Sequence, residues 1–259
     1  PLDPEPRELE VHSWRLSYTE TGSGRTVVAV HGLPATSRDF RWLDAAFAGR
    51  VHLYRPDLPG FGGSPIESPG SATFTSMAES VRAFCEVMDL DDVILLGHSM
   101  GGPIAVEAAL ATDRVAGVVL VNSAGPRMHR GNLWRAYRIA LWLMDLHPWT
   151  RAIALAVTRP VARLVGFSKR LADEELVLAA RLASHYEPSV MGERLRRMGK
   201  PLLVAWATAD PAIEKAVTDQ ILDAAPGATA LRFDARSHNL QSTHATELAD
   251  AIVDWASAG

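Results

Sequence analysis

The chain has 259 residues, 47% of them hydrophobic and 22% charged, which suits one sizeable globular domain with an insertion. Its net charge of −4 gives no general reason to bind nucleic acid, no apolar run is long enough to span a membrane, and its one cysteine excludes an intrachain disulfide. The polar, acidic N-terminus does not fit a signal peptide, so a reducing cytoplasm is the expected compartment.

Short apolar and β-branched runs alternate with helical patterns along most of the chain. This alternation predicts an α/β fold with a doubly wound, mostly parallel sheet. A helix is predicted at 76–88, with Ser76 and Glu79 as a capping box, and a small-residue helix at 101–111. Strands are predicted at 14–20, 27–30, 51–54, 93–96, 115–121, 202–205 and 230–233.

The pattern changes between residues 127 and 198, where helical spacing rich in aromatic residues, Met and Arg replaces the strand signals. Residues 126–199 also carry 13 basic and 6 acidic side chains in a chain that is acidic overall. We therefore predict an α/β core at 1–125 and 200–259, with a helical cap at 126–199 that roofs one edge of the sheet.

The pentapeptide from Gly97 to Gly101 places Ser99 between a buried strand and the start of a helix. A serine on such a tight turn projects its hydroxyl above the sheet, and glycines two residues away on either side avoid a clash. Ser99 is therefore the predicted nucleophile. Met100, as the following residue, is expected to supply one backbone N–H to an oxyanion hole.

A serine hydroxyl needs an adjacent base, and the base needs an orienting acid. Asp210 follows the strand at 202–205, and His238 follows the strand at 230–233, so both are expected at the same sheet edge as Ser99. Asp234 is the alternative acid and His244 the alternative base, although His244 falls within the last predicted helix.

The loop of His31, Gly32, Leu33 and Pro34 follows an early strand and is placed to supply the second oxyanion donor through the Leu33 N–H. Within the predicted cap, some aromatic and Met side chains are expected to line an apolar substrate pocket. The candidate substrate-binding residues are Trp134, Trp142 and Trp149.

Together the motifs resemble the α/β-hydrolase superfamily: 31–34 (HGLP), 57–64 (DLPGFGGS), 97–102 (GHSMGG), Asp210 and His238. By this resemblance the stretch 57–64 is structural and shapes the floor of the site. The form H-G-x-P is similar to epoxide hydrolases and haloalkane dehalogenases, whose nucleophile is an aspartate. Ser99 at that position argues against both activities. The family usually has Gly before the histidine, where this chain has Ser237.

The expected function is hydrolysis of a small-molecule carboxylic ester through an acyl-enzyme, with no metal, organic cofactor or nucleic acid involved. One alternative is a carbon–carbon bond hydrolase acting on a vinylogous diketone with the same triad. His98 and Asn239 stand where members of that group often have Asn and Trp. A ligand receptor on a hydrolase fold is the non-enzymatic alternative, because the fold alone does not set the function.

Overall fold

A computed structural model describes residues 3–67, 70, 72–127, 131–165 and 172–258 of the chain. Within these ranges eight strands form one sheet. The strands are β1 (Arg7–Val11), β2 (Trp14–Gly22), β3 (Arg25–Val30), β4 (Val51–Pro56), β5 (Val93–His98), β6 (Val115–Val121), β7 (Leu202–Ala207) and β8 (Thr229–Phe233).

The order of the strands across the sheet is β1-β2-β4-β3-β5-β6-β7-β8. The pairs β1–β2 and β2–β4 are antiparallel, and all the other pairs are parallel. The order reverses around β3 and β5, the topological switch point at which open α/β sheets place their sites. The predicted fold class, a doubly wound and mostly parallel α/β sheet, is therefore confirmed.

The described helices flank the sheet or lie between β6 and β7, and a short 3-10 helix (Ser37–Phe40) precedes the first of them. The helices are α1 (Arg41–Phe47), α2 (Phe74–Val87), α3 (Gly101–Leu110), α4 (Gly131–Leu146), α5 (Pro148–Val165), α6 (Asp173–Ser184), α7 (Pro188–Arg197), α8 (Lys215–Ala224), α9 (Leu240–Thr243) and α10 (Ala245–Ala258).

The central strand β5 is buried over its whole length because helices cover both faces of the sheet. Side chains alternate across a strand. Val93 and Leu95 therefore pack into the core that contains residues of α2 and α3, whereas Ile94 and Leu96 pack into the core that contains residues of α1 and α10. This two-sided burial explains why the predicted parallel strands read as continuous apolar runs.

The structure differs from the sequence expectations in two places. The polar N-terminal residues form β1, a strand that was not predicted, and β1 pairs with β2 at the edge of the sheet. Helix α2 begins at Phe74, two residues before the predicted start, because Thr73 is its N-cap. The capping box joins Thr73 and Ser76, so Ser76 is the third helical residue rather than the cap, and Glu79 takes no part in the box.

Helices α4–α7 all lie between β6 and β7, and we refer to them together as the helical insertion. Helix α6 packs on the loop after β4, where Glu175 Oε1 accepts a hydrogen bond of 2.9 Å from the Gly62 N–H. After α6, the Tyr186 hydroxyl donates to the Gly125 carbonyl oxygen at 2.8 Å. These contacts lie beyond the carboxyl ends of β4 and β6, so the insertion rests on that edge of the sheet. In the parts of the chain that the structure describes, no helix is both long and apolar enough to cross a membrane.

Candidate active site

Ser99 lies on a sharp turn between the end of β5 at His98 and the start of α3 at Gly101. Its φ angle is +53°, a left-handed conformation that is uncommon for a residue other than glycine. The turn is fixed by two backbone hydrogen bonds to the Ser99 carbonyl oxygen, from Gly102 N at 3.1 Å and from Ala124 N at 3.0 Å. The protein thus holds a strained backbone in place at this serine, as is frequent at functional sites.

The glycines around Ser99 are required because the chain packs too closely there for a side chain. A Cβ on Gly97 would lie 2.6 Å from the Gly101 carbonyl oxygen, and a Cβ on Gly101 would lie 2.3 Å from the Val30 carbonyl oxygen. Both obstacles are backbone atoms, which cannot rotate away as a side chain can. The sequence spacing of the two glycines therefore has a direct steric cause.

His238 and Asp210 meet Ser99 in a continuous hydrogen-bonded chain. The Ser99 Oγ lies 3.1 Å from His238 Nε2, and His238 Nδ1 lies 2.9 Å from Asp210 Oδ2. The side chains of His238 and Asp210 are almost fully buried. A carboxylate only accepts hydrogen bonds, so the proton is on Nδ1, and Nε2 is left to accept the hydrogen bond of the Ser99 hydroxyl.

Asp210 is itself held in place by the backbone that follows it. Its Oδ1 accepts hydrogen bonds from Ala212 N at 2.7 Å and from Ile213 N at 3.0 Å. These bonds hold the Asp210 side chain in the position from which it accepts the His238 N–H.

Two residues outside the predicted triad hold the His238 backbone. Asn122, just after β6, donates from Nδ2 to the His238 carbonyl oxygen at 2.8 Å, and His98 donates from Nε2 to the same oxygen at 2.9 Å. Burial, together with a smaller effect of the neighbouring His238, lowers the pKa of His98 to about 3, so His98 is neutral at physiological pH. No sequence motif around Asn122 predicts this role, because only the fold brings Asn122 to His238.

The loop at 31–34 packs directly against the nucleophile. A Cβ on Gly32 would lie 3.1 Å from the Ser99 Cβ, so a larger residue would push the loop and the serine apart. His31 fixes the loop: its Nδ1–H donates to the Gly32 carbonyl oxygen at 2.8 Å, and its Nε2 accepts from Leu58 N at 2.9 Å. Burial lowers the pKa of His31, which agrees with a neutral ring in this arrangement.

The stretch 57–64 has the buried polar contacts of a structural loop. The Asp57 side chain accepts hydrogen bonds from Ser37 N at 2.7 Å and from Gly63 N at 2.9 Å. The Ser64 hydroxyl donates to the Asp57 carbonyl oxygen at 2.7 Å and accepts from Ser17 N at 2.9 Å. These bonds join the loop to β2 and to the start of the 3-10 helix beneath the site.

The two candidate oxyanion donors, Leu33 N and Met100 N, belong to the two segments that meet at Ser99. Across the described ranges, neither amide donates a hydrogen bond to another protein atom. Both amides therefore remain free to bind a substrate oxygen, which is the condition that an oxyanion hole requires.

A small apolar cavity of about 40 Å³ adjoins Leu33 under the helical insertion. Helices α4, α5 and α6 form its walls, with Pro34 at the loop side. Most of its lining side chains are alanines or larger apolar residues: Ala140, Met144, Leu176, Ala179, Ala180 and Ala183.

The structure does not bring two of the candidate tryptophans, Trp142 and Trp149, to this cavity. Trp142 and Trp149 are each 61% exposed, and neither lines it. They lie on the sides of α4 and α5 opposite to the buried Met144 and Leu155. The assignment of these two indoles to the substrate site was made on composition, without knowledge of which helix face is buried, and it stays a prediction. The side chain of Trp134 lies outside the described residues.

The alternative acid and base lie apart from the chain of hydrogen bonds. Asp234 accepts a hydrogen bond from the Thr208 hydroxyl in an exposed contact of 3.0 Å. His244 Nδ1 lies 2.9 Å from the Thr243 hydroxyl oxygen, and its ring packs edge-on against Phe233. Neither side chain forms a hydrogen bond with Ser99 or His238 in the described part of the chain.

Asp39, in the 3-10 helix after the loop at 31–34, is a further acidic residue close to the site. Burial raises its pKa to about 6, whereas the charges of Arg41 and His238 lower it and that of Asp57 raises it. Asp39 is therefore close enough to His238 to interact with it electrostatically, although it is not part of the hydrogen-bonded chain.

Within the described ranges, no group of three or more His, Cys, Asp or Glu side chains could hold a metal ion.

Comparisons with known proteins identify the family of this chain. The chain is 23% identical to an uncharacterized hydrolase, YugF, of Bacillus subtilis over 89% of each protein, and 24% identical to the magnesium-chelatase 30 kDa subunit of Rhodobacter capsulatus over 93% of this chain and 90% of that protein. Its structure superimposes on an esterase of Thermogutta terrifontis with a TM-score of 0.77 at 22% identity, covering 97% of this chain and 98% of the esterase. A model of the alpha/beta hydrolase family matches residues 27–251, so this chain belongs to the alpha/beta hydrolase family.

Proposed function

We propose that this hydrolase cleaves a carboxylic ester through an acyl-enzyme formed on Ser99, with His238 as the base and Asp210 as the acid that orients it. The observation that carries the proposal is the buried hydrogen-bonded chain from Ser99 Oγ through His238 to Asp210, at 3.1 and 2.9 Å. A serine hydroxyl becomes nucleophilic when an adjacent base accepts its proton, and this arrangement supplies that base in the correct tautomer.

In the proposed reaction, Ser99 Oγ attacks the ester carbonyl carbon while His238 Nε2 takes the hydroxyl proton. The negative charge on the former carbonyl oxygen is stabilised by the N–H groups of Leu33 and Met100. The imidazolium then gives its proton to the leaving alcohol as the carbon–oxygen bond breaks. Water, activated by the same histidine, hydrolyses the acyl-enzyme and restores Ser99.

The nucleophile at the turn favours this reaction over displacement by a carboxylate. Opening of an epoxide or release of a halide through an alkyl-enzyme ester needs an aspartate there, and the residue is Ser99. The esterase of Thermogutta terrifontis, which shares the fold, is consistent with ester cleavage on this scaffold.

The cavity beside Leu33 supports a short, apolar acyl group. Its volume of about 40 Å³ is room for roughly three water-sized groups. In our proposal residues 126–199 form a cap, and the cavity that α4, α5 and α6 build with the loop at 31–34 holds the acyl chain. Acetyl to butyryl esters would fit without rearrangement, whereas longer chains would have to displace the helices.

The test is a panel of p-nitrophenyl esters from acetate to octanoate. We expect kcat/KM to be highest for the short esters. Substitution of Ala183 by Val, which reduces the cavity, should shift the preference further towards acetate, and Met144→Ala should extend it towards longer chains. Each methylene that the cavity excludes or admits is worth about 0.8 kcal/mol, which corresponds to a change of about fourfold in kcat/KM for each carbon.

Ala156, which is exposed on α5, gives the matched control, since Ala156→Val adds the same two methyl groups outside the cavity. The ester profile of this variant should equal that of the unmodified protein. Failure to hydrolyse any ester of the panel would contradict the proposed activity. Hydrolysis with an unchanged ester profile in both cavity variants, Ala183→Val and Met144→Ala, would contradict only the assignment of the cavity.

A further inference from the structure

The outward-facing side of the helical insertion carries a concentration of large apolar side chains. On α4 they are spaced three and four residues apart, and on α5 four residues apart, so each helix presents a single apolar stripe to solvent. Six side chains form these stripes, each between 55 and 63% exposed, and we call them the outer apolar face: Ile139, Trp142, Leu146, Trp149, Ile153 and Val157.

The outer apolar face is separate from the apolar surface that these helices bury. Met144, Ala154 and Leu155 form a small buried core on the inner sides of α4 and α5. Both helices are therefore apolar on two sides, and only the inner side is covered in the monomer. A helix with apolar residues all round is expected to be buried on both sides in its working environment.

The rest of the described surface has no comparable cluster of large apolar side chains. Trp42, Val87 and Leu110 are the other exposed large apolar residues in the described ranges, at 38 to 42% exposure, and they lie on three different helices. Helices α4 and α5 are joined by the single residue His147 and pack against each other, so their stripes lie on neighbouring elements. Exposed apolar surface of this kind on neighbouring helices marks an interaction site.

The charge around the outer apolar face indicates what it binds. The segment 131–165 contains five arginines, one aspartate and no lysine or glutamate. Arg151 and Arg159 form ion pairs with Glu174 and Asp173 of α6, yet residues 126–199 as a whole still hold 13 basic and 6 acidic side chains. A second copy of this chain would bring the same basic surface against itself, whereas an anionic surface would be attracted.

We propose that the outer apolar face of α4 and α5 docks this hydrolase on the surface of an anionic lipid bilayer. Exposed tryptophan and aliphatic side chains in a segment rich in arginine are the combination that lies in the interfacial region of a membrane. The apolar stripes enter the boundary of the acyl chains, and the basic residues of the insertion contact the lipid headgroups. The contact is peripheral and does not depend on the ester specificity proposed above.

The experiment is flotation of the full chain with vesicles of equal parts phosphatidylcholine and phosphatidylglycerol, compared with vesicles of phosphatidylcholine alone. Since basic residues near an anionic surface strengthen binding, we expect at least about tenfold stronger binding to the anionic vesicles, weakened by added salt. The double variant Ile153→Gln with Val157→Gln should lose about tenfold or more of this binding, because it removes two apolar side chains from the contact.

The matched control is Val87→Gln with Leu110→Gln, which makes the same kind of change at exposed positions of α2 and α3. It should bind the anionic vesicles as the unmodified protein does, and Arg138→Gln on α4 should bind less. Circular dichroism verifies that each variant is folded. Absence of binding to anionic vesicles, or equal loss in the control, would overturn the proposal. A stable dimer in solution that the Ile153/Val157 variant dissociates would also overturn it in favour of a second copy.

Discussion

The side-chain amide of Asn122 holds the carbonyl oxygen of His238 at 2.8 Å, across 116 residues of sequence. The same side chain accepts a hydrogen bond from Ala207 N at 2.9 Å through its Oδ1. Asn122 therefore joins the ends of β6 and β7 to the loop that carries the base. Because His98 donates to the same carbonyl oxygen, the position of His238 depends on the two strands on which the site is built.

Replacing Asn122 by Ala should lower kcat/KM for a short ester by about tenfold or more, because a small misplacement of a catalytic group is costly. It should also reduce the free energy of unfolding by about 1–3 kcal/mol, since the buried Ala207 N–H loses its acceptor. Steady-state kinetics and urea denaturation measure the two effects. Asn239→Ala is the control, as the Asn239 side chain makes one long contact of 3.4 Å, with Gln241, and should change neither quantity appreciably.

Gly101→Ala should destabilise the protein by about 1–3 kcal/mol or more, because the added Cβ meets backbone that cannot move without shifting β3. Its closest obstacle is the Val30 carbonyl oxygen at 2.3 Å. Thermal unfolding measures the loss. Gly227→Ala serves as the comparison, since a Cβ at Gly227 meets nothing within 4 Å; an equal loss in both variants would contradict the steric explanation.

The sequence was sufficient to predict the features that have a local cause. The turn at Ser99 was predictable because Gly97 and Gly101 mark a close approach of two backbones, and the parallel strands because burial on both faces makes them uniformly apolar. Chain order gave the candidates Asp210 and His238, since each follows a later strand of the parallel sheet.

What the sequence did not predict depends on tertiary packing. Nothing near Asn122 in the chain indicates that it will reach His238, and the polar β1 is a strand because β2 offers it an edge to pair with. The exposure of Trp142 could not be predicted, because α4 is apolar on two sides and composition does not distinguish the buried side from the exposed one. Residues 128–130 and 166–171 of the predicted cap lie outside the described residues.

Asp210→Asn should reduce kcat for ester hydrolysis by about 10⁴-fold, because an amide in place of the carboxylate favours the wrong tautomer of His238. Asp234→Asn should retain the activity of the unmodified protein, since Asp234 bonds Thr208 at the surface. Initial rates with p-nitrophenyl acetate compare the two variants. The opposite ranking would transfer the role of the orienting acid to Asp234.

The raised pKa of Asp39 predicts a pH-dependent stability. Its pKa is about 6 in the folded protein against an ordinary value of 3.8, because burial disfavours the charged carboxylate. The folded state therefore keeps this proton at pH values at which the unfolded chain has lost it, so the contribution of Asp39 to stability is full below about pH 4 and is lost as the pH rises to 6. Asp39→Asn, which stays neutral, should be more stable than the unmodified protein at pH 7.

Urea denaturation of both proteins at pH 4 and pH 7 tests this expectation. The free energy of unfolding of the Asn variant should exceed that of the unmodified protein at pH 7, and the difference should shrink towards zero at pH 4. A difference that is the same at both pH values would show that the ionisation of Asp39 is not its cause.

The most direct measurement of the proposed reaction is covalent labelling with a fluorophosphonate, followed by mass spectrometry of the peptides. The account predicts one added phosphonyl group per chain, located on Ser99, with no labelling of Ser99→Ala and much slower labelling of His238→Ala, because the hydroxyl is nucleophilic only beside its base. His244→Ala should be labelled at the rate of the unmodified protein. A label on another residue, or full ester hydrolysis by Ser99→Ala, would contradict the assignment of Ser99 as the nucleophile.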